Sequence, residues 1–189
     1  MSAADTTRRR GRSRAALVTA LREGWRQSQA ILAEMFEVPV TFGEPVIDDE
    51  GIGAFAAADR SWAVGMTFAG GSSGAALLVI SRAAVQPLVT ALLGDEKVSS
   101  DDALAFYPTT VVELGNVVLN SVVAEAGRAL DETYLFELPG LVSRPELIEM
   151  LESATATVSL LGEATVNREE PAPLGIGLIL NDPSWTDHV

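Results

Sequence analysis

The sequence contains no cysteine, one histidine and one lysine, and these shortages remove several classes of chemistry. Without cysteine there are no disulfides and no thiol nucleophile. A zinc site or a Ser-His-Asp triad needs more than His188, which we expect to be a frayed surface residue. P-loop or Schiff-base chemistry would rest on Lys97 alone, in a polar stretch, and is set aside. Carboxylates are abundant, so a magnesium site or a glycosidase-like acid pair stays open, although no acidic cluster has ligand-like spacing.

Long apolar runs are also lacking, although 48 % of the 189 residues are hydrophobic. No run approaches the roughly 20 residues that a helix needs to cross a bilayer, so no membrane span is predicted. A chain of this length and composition can bury a sizeable core, and we expect one compact domain. We also expect a cytoplasmic protein, because Arg22 and Glu23 follow residues 15–21 before the apolar core of a signal peptide is complete.

Positive charge is scarce and concentrated at one end. The formal net charge is −13, yet the first fourteen positions hold five of the thirteen basic residues, all of them arginine. Removing this segment, with +5 from arginine and −1 from Asp5, leaves −17 for residues 15–189, an acidic body that is not expected to bind nucleic acid. We predict a disordered basic arm at residues 1–13, one domain at residues 14–182 and a tail at residues 183–189.

Hydrophobic periodicity and turn residues divide the chain into helices and strands. Helices are predicted at residues 13–36, 82–93, 107–130 and 145–151. Strands are predicted at residues 38–42, 61–68, 75–81, 133–138, 154–166 and 174–180. A helical approach is predicted at residues 101–106, and Pro108 suits the first turn of the third helix, because a proline lacks the N–H that is unpaired there anyway.

The order of these elements repeats along the chain. A helix, a strand and a β-hairpin run from Ala15 to Ser81, and the same order returns from Tyr107 to Leu180. We therefore predict an α+β domain with a pseudo-twofold duplicated helix–strand–hairpin unit. One antiparallel sheet would be covered by the two long helices.

The second long helix carries a line of polar side chains on an otherwise apolar cylinder. Thr109, Glu113, Asn116 and Asn120 are spaced by four, three and four residues, and fall within roughly 60° of arc. Burying such groups without partners would cost about 1–3 kcal/mol for each hydrogen-bonding group, so this stripe must be exposed or paired. The periodicity by itself is also that of an ordinary solvent face.

Two features of this helix favour a functional surface. The stripe has none of the Lys, Arg and repeated Glu that are usual on a solvated face. Gly115 costs a helix about 1 kcal/mol relative to alanine, and it stands between Glu113 and Asn116. A glycine at this position predicts that another backbone approaches closely on the far side.

The same residues resemble a known signature. Glu113-x-x-Asn116, with Pro139 after 22 intervening residues (139 − 116 − 1), is similar to the motif of the CheC/CheX/FliY family of chemotaxis phosphatases. In that family a Ser or Asp stands four residues before the Glu, where this sequence has Thr109 and so keeps a hydroxyl. The duplicated element order, over roughly residues 15–181, also resembles that family.

This resemblance implies a phosphatase that acts on the aspartyl-phosphate of a CheY-like response regulator. Asn116 is expected to hold the attacking water, and Glu113 to pair with the regulator's active-site lysine. Thr109 and Asn120 would extend the partner-binding stripe, and Pro139 is carried over as a structural motif residue. No cofactor of the chain's own is expected, because the receiver domain brings its own Mg²⁺ and acidic pocket.

The first long helix lacks one half of the motif, and this leaves alternatives open. It has Glu23-x-x-Arg26, and an arginine has no amide oxygen to accept a hydrogen bond from water, so we expect one site per chain. A non-catalytic binding module is one alternative, since flagellar switch proteins resemble the same fold without both motif residues. Some family members also work through partners such as the CheD deamidase. The other alternative is a structural homodimer without a separate activity, because edge strands and an acidic surface allow assembly.

Overall fold

The fold is described from a computed structural model that defines residues 14–48, 52–53, 61–93, 100–167 and 170–181. The helices are α1 (Arg14–Phe36), α2 (Arg82–Leu93), α3 (Ser100–Leu130) and α4 (Arg144–Glu152). The strands are β1 (Val40–Phe42), β2 (Val46–Asp48), β3 (Ser61–Ala69), β4 (Ser73–Ser81), β5 (Leu135–Phe136), β6 (Gly140–Leu141), β7 (Ala156–Val166) and β8 (Ala172–Leu180).

All eight strands belong to one antiparallel sheet. Its order is β1-β7-β8-β4-β3-β5, with β2 also paired to β7 and β6 to β3. Exchanging β1 with β5, β2 with β6, β3 with β7 and β4 with β8 reverses this order, so the two halves of the chain occupy equivalent places. The registers of the two hairpins also agree. Val64 of β3 pairs with Leu78 of β4, and a shift of 97 positions (161 − 64 and 175 − 78) gives Leu161 of β7 and Gly175 of β8, which also pair. The predicted pseudo-twofold α+β fold is confirmed.

The sheet lies between two layers. α1, α2 and α3 cover one face, and their buried side chains form a continuous core with strand residues such as Val64 and Leu78. α4 and the helical turn at Ile52 cover the other face, where a smaller cluster includes Leu77 and Leu147. β4 and β8 lie in the middle of the sheet and are buried on both faces. Their sequences are therefore almost continuously apolar rather than alternating.

α1 and α3 are the equivalent long helices of the two halves. A shift of 90 positions places every buried residue of α1 on a buried residue of α3, as Leu17 on Tyr107 and Leu32 on Val122. The two helices also pack directly against each other. A Cβ on Gly24 would lie 2.8 Å from the Cα of Val122, so glycine is what lets the two backbones approach this closely.

Pro108 does not open the long helix, and this prediction is wrong. α3 begins at Ser100, so Pro108 lies inside the helix. An internal proline removes one backbone hydrogen bond, and the packing of α3 against α1, α2 and the sheet outweighs that loss.

The strand predicted at residues 133–138 is also corrected. The structure has two strands of two residues, β5 and β6, separated by Glu137, Leu138 and Pro139. Glu137 still donates its N–H to the Thr67 carbonyl at 3.1 Å, but proline has no N–H to continue the ladder. In the same way Pro45 precedes β2, a strand that the sequence analysis did not assign.

Some predictions fall outside the described residues. These are the basic arm at residues 1–13, the tail at residues 183–189, Lys97 and His188. Among the helices that the structure does describe, none combines the length and the apolar character needed to span a bilayer.

Gly24→Ala is expected to lower the free energy of unfolding by roughly 1 kcal/mol. Overpacking costs about 1–3 kcal/mol, and the overlapped backbone of Val122 cannot rotate away, while the better helix propensity of alanine returns about 1 kcal/mol. Urea unfolding followed by circular dichroism measures the difference. Gly140→Ala is the control, because nothing lies within 4 Å of a Cβ there. Equal stability of the two variants would contradict the close helix crossing.

A capping box at the start of α4 perturbs one carboxylate. Hydrogen bonding to Ser143, first through its side chain and then through its backbone N–H, holds the pKa of Glu146 below its ordinary value of 4.5. Because the folded-state pKa is lowered, the group favours folding above pH 4.5, and this contribution is lost as the pH falls through the lowered pKa. Ser143→Ala is expected to raise the pKa of Glu146 towards 4.5, measured by NMR titration. A pKa that does not move would refute the assigned cause.

Candidate functional site

The four polar residues of the stripe lie on one outward face of α3. Thr109 and Glu113 are exposed, whereas Asn116 and Asn120 are half-buried. Most of the intervening apolar residues, such as Leu114, are buried against the rest of the domain. Both predicted catalytic side chains therefore reach the surface from a helix, as insertion into a partner's pocket requires.

Gly115 determines how α3 is turned against the sheet. A Cβ on Gly115 would overlap Cγ1 of Val64 and lie 2.9 Å from its Cβ, and Val64 is completely buried in β3. At 100° per residue, Glu113 lies about 160° around the helix from Gly115, so seating the glycine on the sheet turns Glu113 towards solvent. The close approach predicted at Gly115 exists, but it is made by the Val64 side chain and not by a backbone.

Asn120 orients the side chain of Asn116. Its Nδ2 donates to the backbone oxygen and to Oδ1 of Asn116, both at 2.7 Å. An amide oxygen accepts two hydrogen bonds, so Oδ1 of Asn116 keeps one position for a water molecule. The sequence resemblance implies only a partner-binding role for Asn120. The signal for this contact is the spacing of two amides one helical turn apart.

Glu113 carries an uncompensated negative charge at the surface. Within the part of the chain that the structure describes, its carboxylate forms no ion pair and no hydrogen bond. A cation supplied by another molecule can therefore pair with it without displacing a partner from this chain. Thr109, one turn earlier, is equally accessible.

The segment around Pro139 flanks this surface. β6 pairs with β3 at Gly65 and Val64, and Val64 is the side chain that packs beneath Gly115. β6 also lies beside α3. Pro139 immediately precedes β6, so the motif proline is placed beside the turns of α3 that carry the polar stripe.

Exposed apolar side chains occur throughout the same segment, and we term them the apolar rim. Leu135, Phe136, Leu138 and Leu141 are 79, 53, 91 and 42 % exposed. Large apolar side chains exposed close together in the sequence are typical of sites of protein association. The sequence pattern predicts a strand at residues 133–138 and does not predict the apolar rim. Its signal is a cluster of large apolar residues around a proline, where a buried strand cannot continue.

The equivalent face of α1 has different chemistry. Nη2 of Arg26 forms an ion pair with Oε2 of Glu23, and Nε2 of Gln27 donates to Oε1 of Glu23 at 3.1 Å. Gln27 also donates to Oε1 of the buried Glu125 at 2.5 Å. Both carboxylate oxygens of Glu23 are thus engaged within the chain. The shift of 90 positions sets Glu23 at the place of Glu113 and Arg26 at the place of Asn116.

Comparison with known proteins finds similarity in structure and not in sequence. No family sequence model and no curated protein matches the chain. FliY from Thermotoga maritima superposes on 88 % of this chain and 88 % of its own, with a TM-score of 0.61 and 12 % identity. A chain of the CheX–CheY–BeF3–Mg²⁺ complex from Borrelia burgdorferi superposes on 85 % of this chain and 96 % of its own, with a TM-score of 0.58 and 13 % identity. The chain has the CheX and FliY fold.

The fold implied by the sequence motif is thereby confirmed. The FliM middle domain from Vibrio alginolyticus has it as well, covering 90 % of this chain and 94 % of its own, with a TM-score of 0.53 and 10 % identity. At these identities the CheX-like fold is what is shared. The roles of Thr109, Glu113, Asn116, Asn120 and Pro139 stay predictions.

Proposed function

We propose that the chain is a phosphatase that hydrolyses the aspartyl-phosphate of a CheY-like response regulator. The observation that carries the proposal is the pair on α3, an Asn116 amide held by Asn120 and an exposed Glu113 carboxylate one turn away. A structural neighbour that is a complex of CheX with CheY, BeF3 and Mg²⁺ supports a CheY-like receiver as the partner.

The chemistry requires little of this chain beyond positioning. Asn116 enters the receiver's acidic pocket, and its Oδ1 accepts a hydrogen bond from a water placed in line with the phosphorus. The water oxygen bonds to phosphorus as the bond to the aspartate oxygen breaks, which releases inorganic phosphate and restores the aspartate. Charge on the phosphoryl oxygens is met by the receiver's own Mg²⁺.

Glu113 docks the partner rather than reacting with it. Its carboxylate pairs with the active-site lysine of the receiver. This is a charge-assisted hydrogen bond in a site that is desolvated when the two proteins bind. Thr109 and Asn120 extend the contact along α3. Because Glu23 is already paired with Arg26, the position of α1 equivalent to Glu113 offers no unpaired carboxylate.

Asn116→Ala is expected to slow dephosphorylation of a phosphorylated CheY-like receiver by on the order of 10²-fold, because the water is no longer held in line. Phosphate release from a purified receiver, at saturating amounts of this chain, measures the rate. Binding of the receiver should change little, since the loss falls on the chemical step.

The matched control for this variant is Arg26→Ala, which truncates the side chain at the equivalent position of α1. It is expected to leave the rate unchanged. A full rate for Asn116→Ala, or equal losses for the two variants, would refute the assignment of the site to α3.

Asn120→Ala is expected to lower the rate less than Asn116→Ala does, by roughly tenfold. It removes the Nδ2 donor that fixes the Asn116 carboxamide while leaving the water-binding oxygen in place. The double variant Asn116→Ala with Asn120→Ala separates this positioning role from an independent one. If Asn120 acts through Asn116, the double variant is no slower than Asn116→Ala alone, and additive losses would contradict this role.

A non-catalytic binding module is the second candidate function. Two observations favour it, namely the FliM middle domain among the structural neighbours and Thr109 in place of the Ser or Asp of the resembled motif. A CheD-like protein is then a further candidate partner. Receiver binding by calorimetry, without any shortening of the phosphate lifetime, would favour this function over hydrolysis.

A further inference from the structure

An open groove of about 440 Å³ lies at the C-terminal end of α3, beyond the polar stripe. It is lined by Ala124 and Arg128 of the helix, by Asp131 and Glu132 just after it, and by Phe136 of β5. Ala124 is one helical turn past the last stripe residue, and Phe136 belongs to the apolar rim. The groove is therefore continuous with both parts of the surface proposed to dock the receiver.

The groove is built where the two halves of the molecule differ. α1 and α3 match with a shift of 90 positions along their buried faces, but their last residues, Phe36 and Leu130, are 94 positions apart. At its C-terminal end α3 thus extends four residues, about one turn, beyond the place where α1 ends, and Arg128 lies in this extra turn. Each helix is followed by an acidic residue with φ 54°, Glu37 after α1 and Asp131 after α3.

The groove combines negative charge with apolar surface. The carboxylate of Asp131 is exposed, Glu132 supplies a second carboxylate, and the C-terminus of α3 adds the negative end of the helix dipole. Arg128 does not cancel this charge, because its guanidinium pairs with the buried Glu125. Phe136, 53 % exposed, provides apolar surface at the same place.

We propose that this groove binds a Lys or Arg side chain of the receiver domain, and so helps to select which receivers the chain accepts. The inference rests on the proposed function, since the partner is the same receiver. Long cationic side chains lay their methylene stems on apolar surface while the charged head reaches a carboxylate. Phe136 and Asp131 supply those two surfaces.

The distance to the proposed catalytic amide fits a single interface. Ala124 lies eight residues beyond Asn116, about 12 Å along the helix at 1.5 Å per residue. A standard interface covers about 800 Å² of each partner, equivalent to a disc of roughly 16 Å radius. A receiver centred on Asn116 therefore covers the Ala124 end of the groove, and a footprint centred one turn further along, at Asn120, also reaches Asp131 about 16 Å away.

Asp131→Asn tests the groove without changing its shape. Asparagine tolerates a φ of 54°, so the variant loses only the charge. For a CheY-like receiver loaded with BeF3 and Mg²⁺, the Kd from calorimetry is expected to rise about fivefold. With the phosphorylated receiver, KM should rise by a similar factor while kcat is unchanged, because the contact is made equally in the ground and transition states.

Two further variants make the test specific. Glu37→Gln removes the same charge at the equivalent position after α1, and its Kd is expected to equal that of the parent chain. Ala124→Arg places a bulky cation at an exposed helical position in the groove, and about a tenfold loss of affinity is expected. Thermal unfolding confirms that each variant is folded.

The possible outcomes separate the groove from the phosphatase. An unchanged Kd for Asp131→Asn overturns the groove proposal. An equal rise in Kd for Glu37→Gln overturns it as well, because the receiver would then be attracted by the general negative charge of the chain and not by the groove. Binding that depends on Asp131 without phosphate release overturns the phosphatase and supports the groove. If phosphate is released but the Kd does not change in Asp131→Asn, only the groove proposal is overturned. If the receiver does not bind at all, both the groove proposal and the proposed phosphatase function are overturned.

Discussion

The contact of Gly115 with Val64 determines what α3 can present to another molecule. The helix is apolar on most of its circumference, and α1, α2 and the sheet cover that part. With a side chain larger than hydrogen at position 115, the helix would have to turn or move away from β3. A rotation by one residue, about 100°, would carry Glu113 towards buried surroundings, where an unpaired carboxylate costs several kcal/mol. The outward direction of the polar stripe is thus a consequence of packing on the opposite side.

The duplication separates the constraints of folding from those of function. Every position that is buried in α1 is also buried at the equivalent position of α3, whatever the residue, so Trp25 corresponds to Gly115 and Ser28 to Val118. The exposed positions carry no such constraint, and there the halves diverge to Arg26 in one and Asn116 in the other. Because both side chains lie at the surface, the exchange alters what the face can bind at little cost to the fold.

The sequence predicts those features that depend on local periodicity. The stripe on α3, the hairpin of β3 and β4 and the duplicated element order follow from repeats of 3.6 and 2 residues, and the structure contains them. Features that depend on tertiary packing escape this reasoning. The internal position of Pro108 depends on packing around α3. The short strands β5 and β6 depend on pairing with β3. The groove forms because the end of α3 meets a strand that is distant from most of the helix in sequence. The hydrogen bond between Asn120 and Asn116 can be predicted in part, because a spacing of four residues brings the two side chains close together, whereas their rotamers determine whether the bond forms.

The proposed function also accounts for the composition of the chain. A phosphatase that makes its own nucleophile or holds its own metal needs histidine, cysteine or clustered carboxylates, and this sequence has one histidine and no cysteine. When the substrate protein brings the cation, the lysine and the phosphoryl group, the remaining requirement is an amide at a fixed place and a carboxylate free to pair. A carboxylate paired within its own chain, as Glu23 is with Arg26, would have to break that pair before docking. The free energy of the new contact would then be partly offset by the lost one, so the face of α3 gains more from the encounter than the face of α1 does.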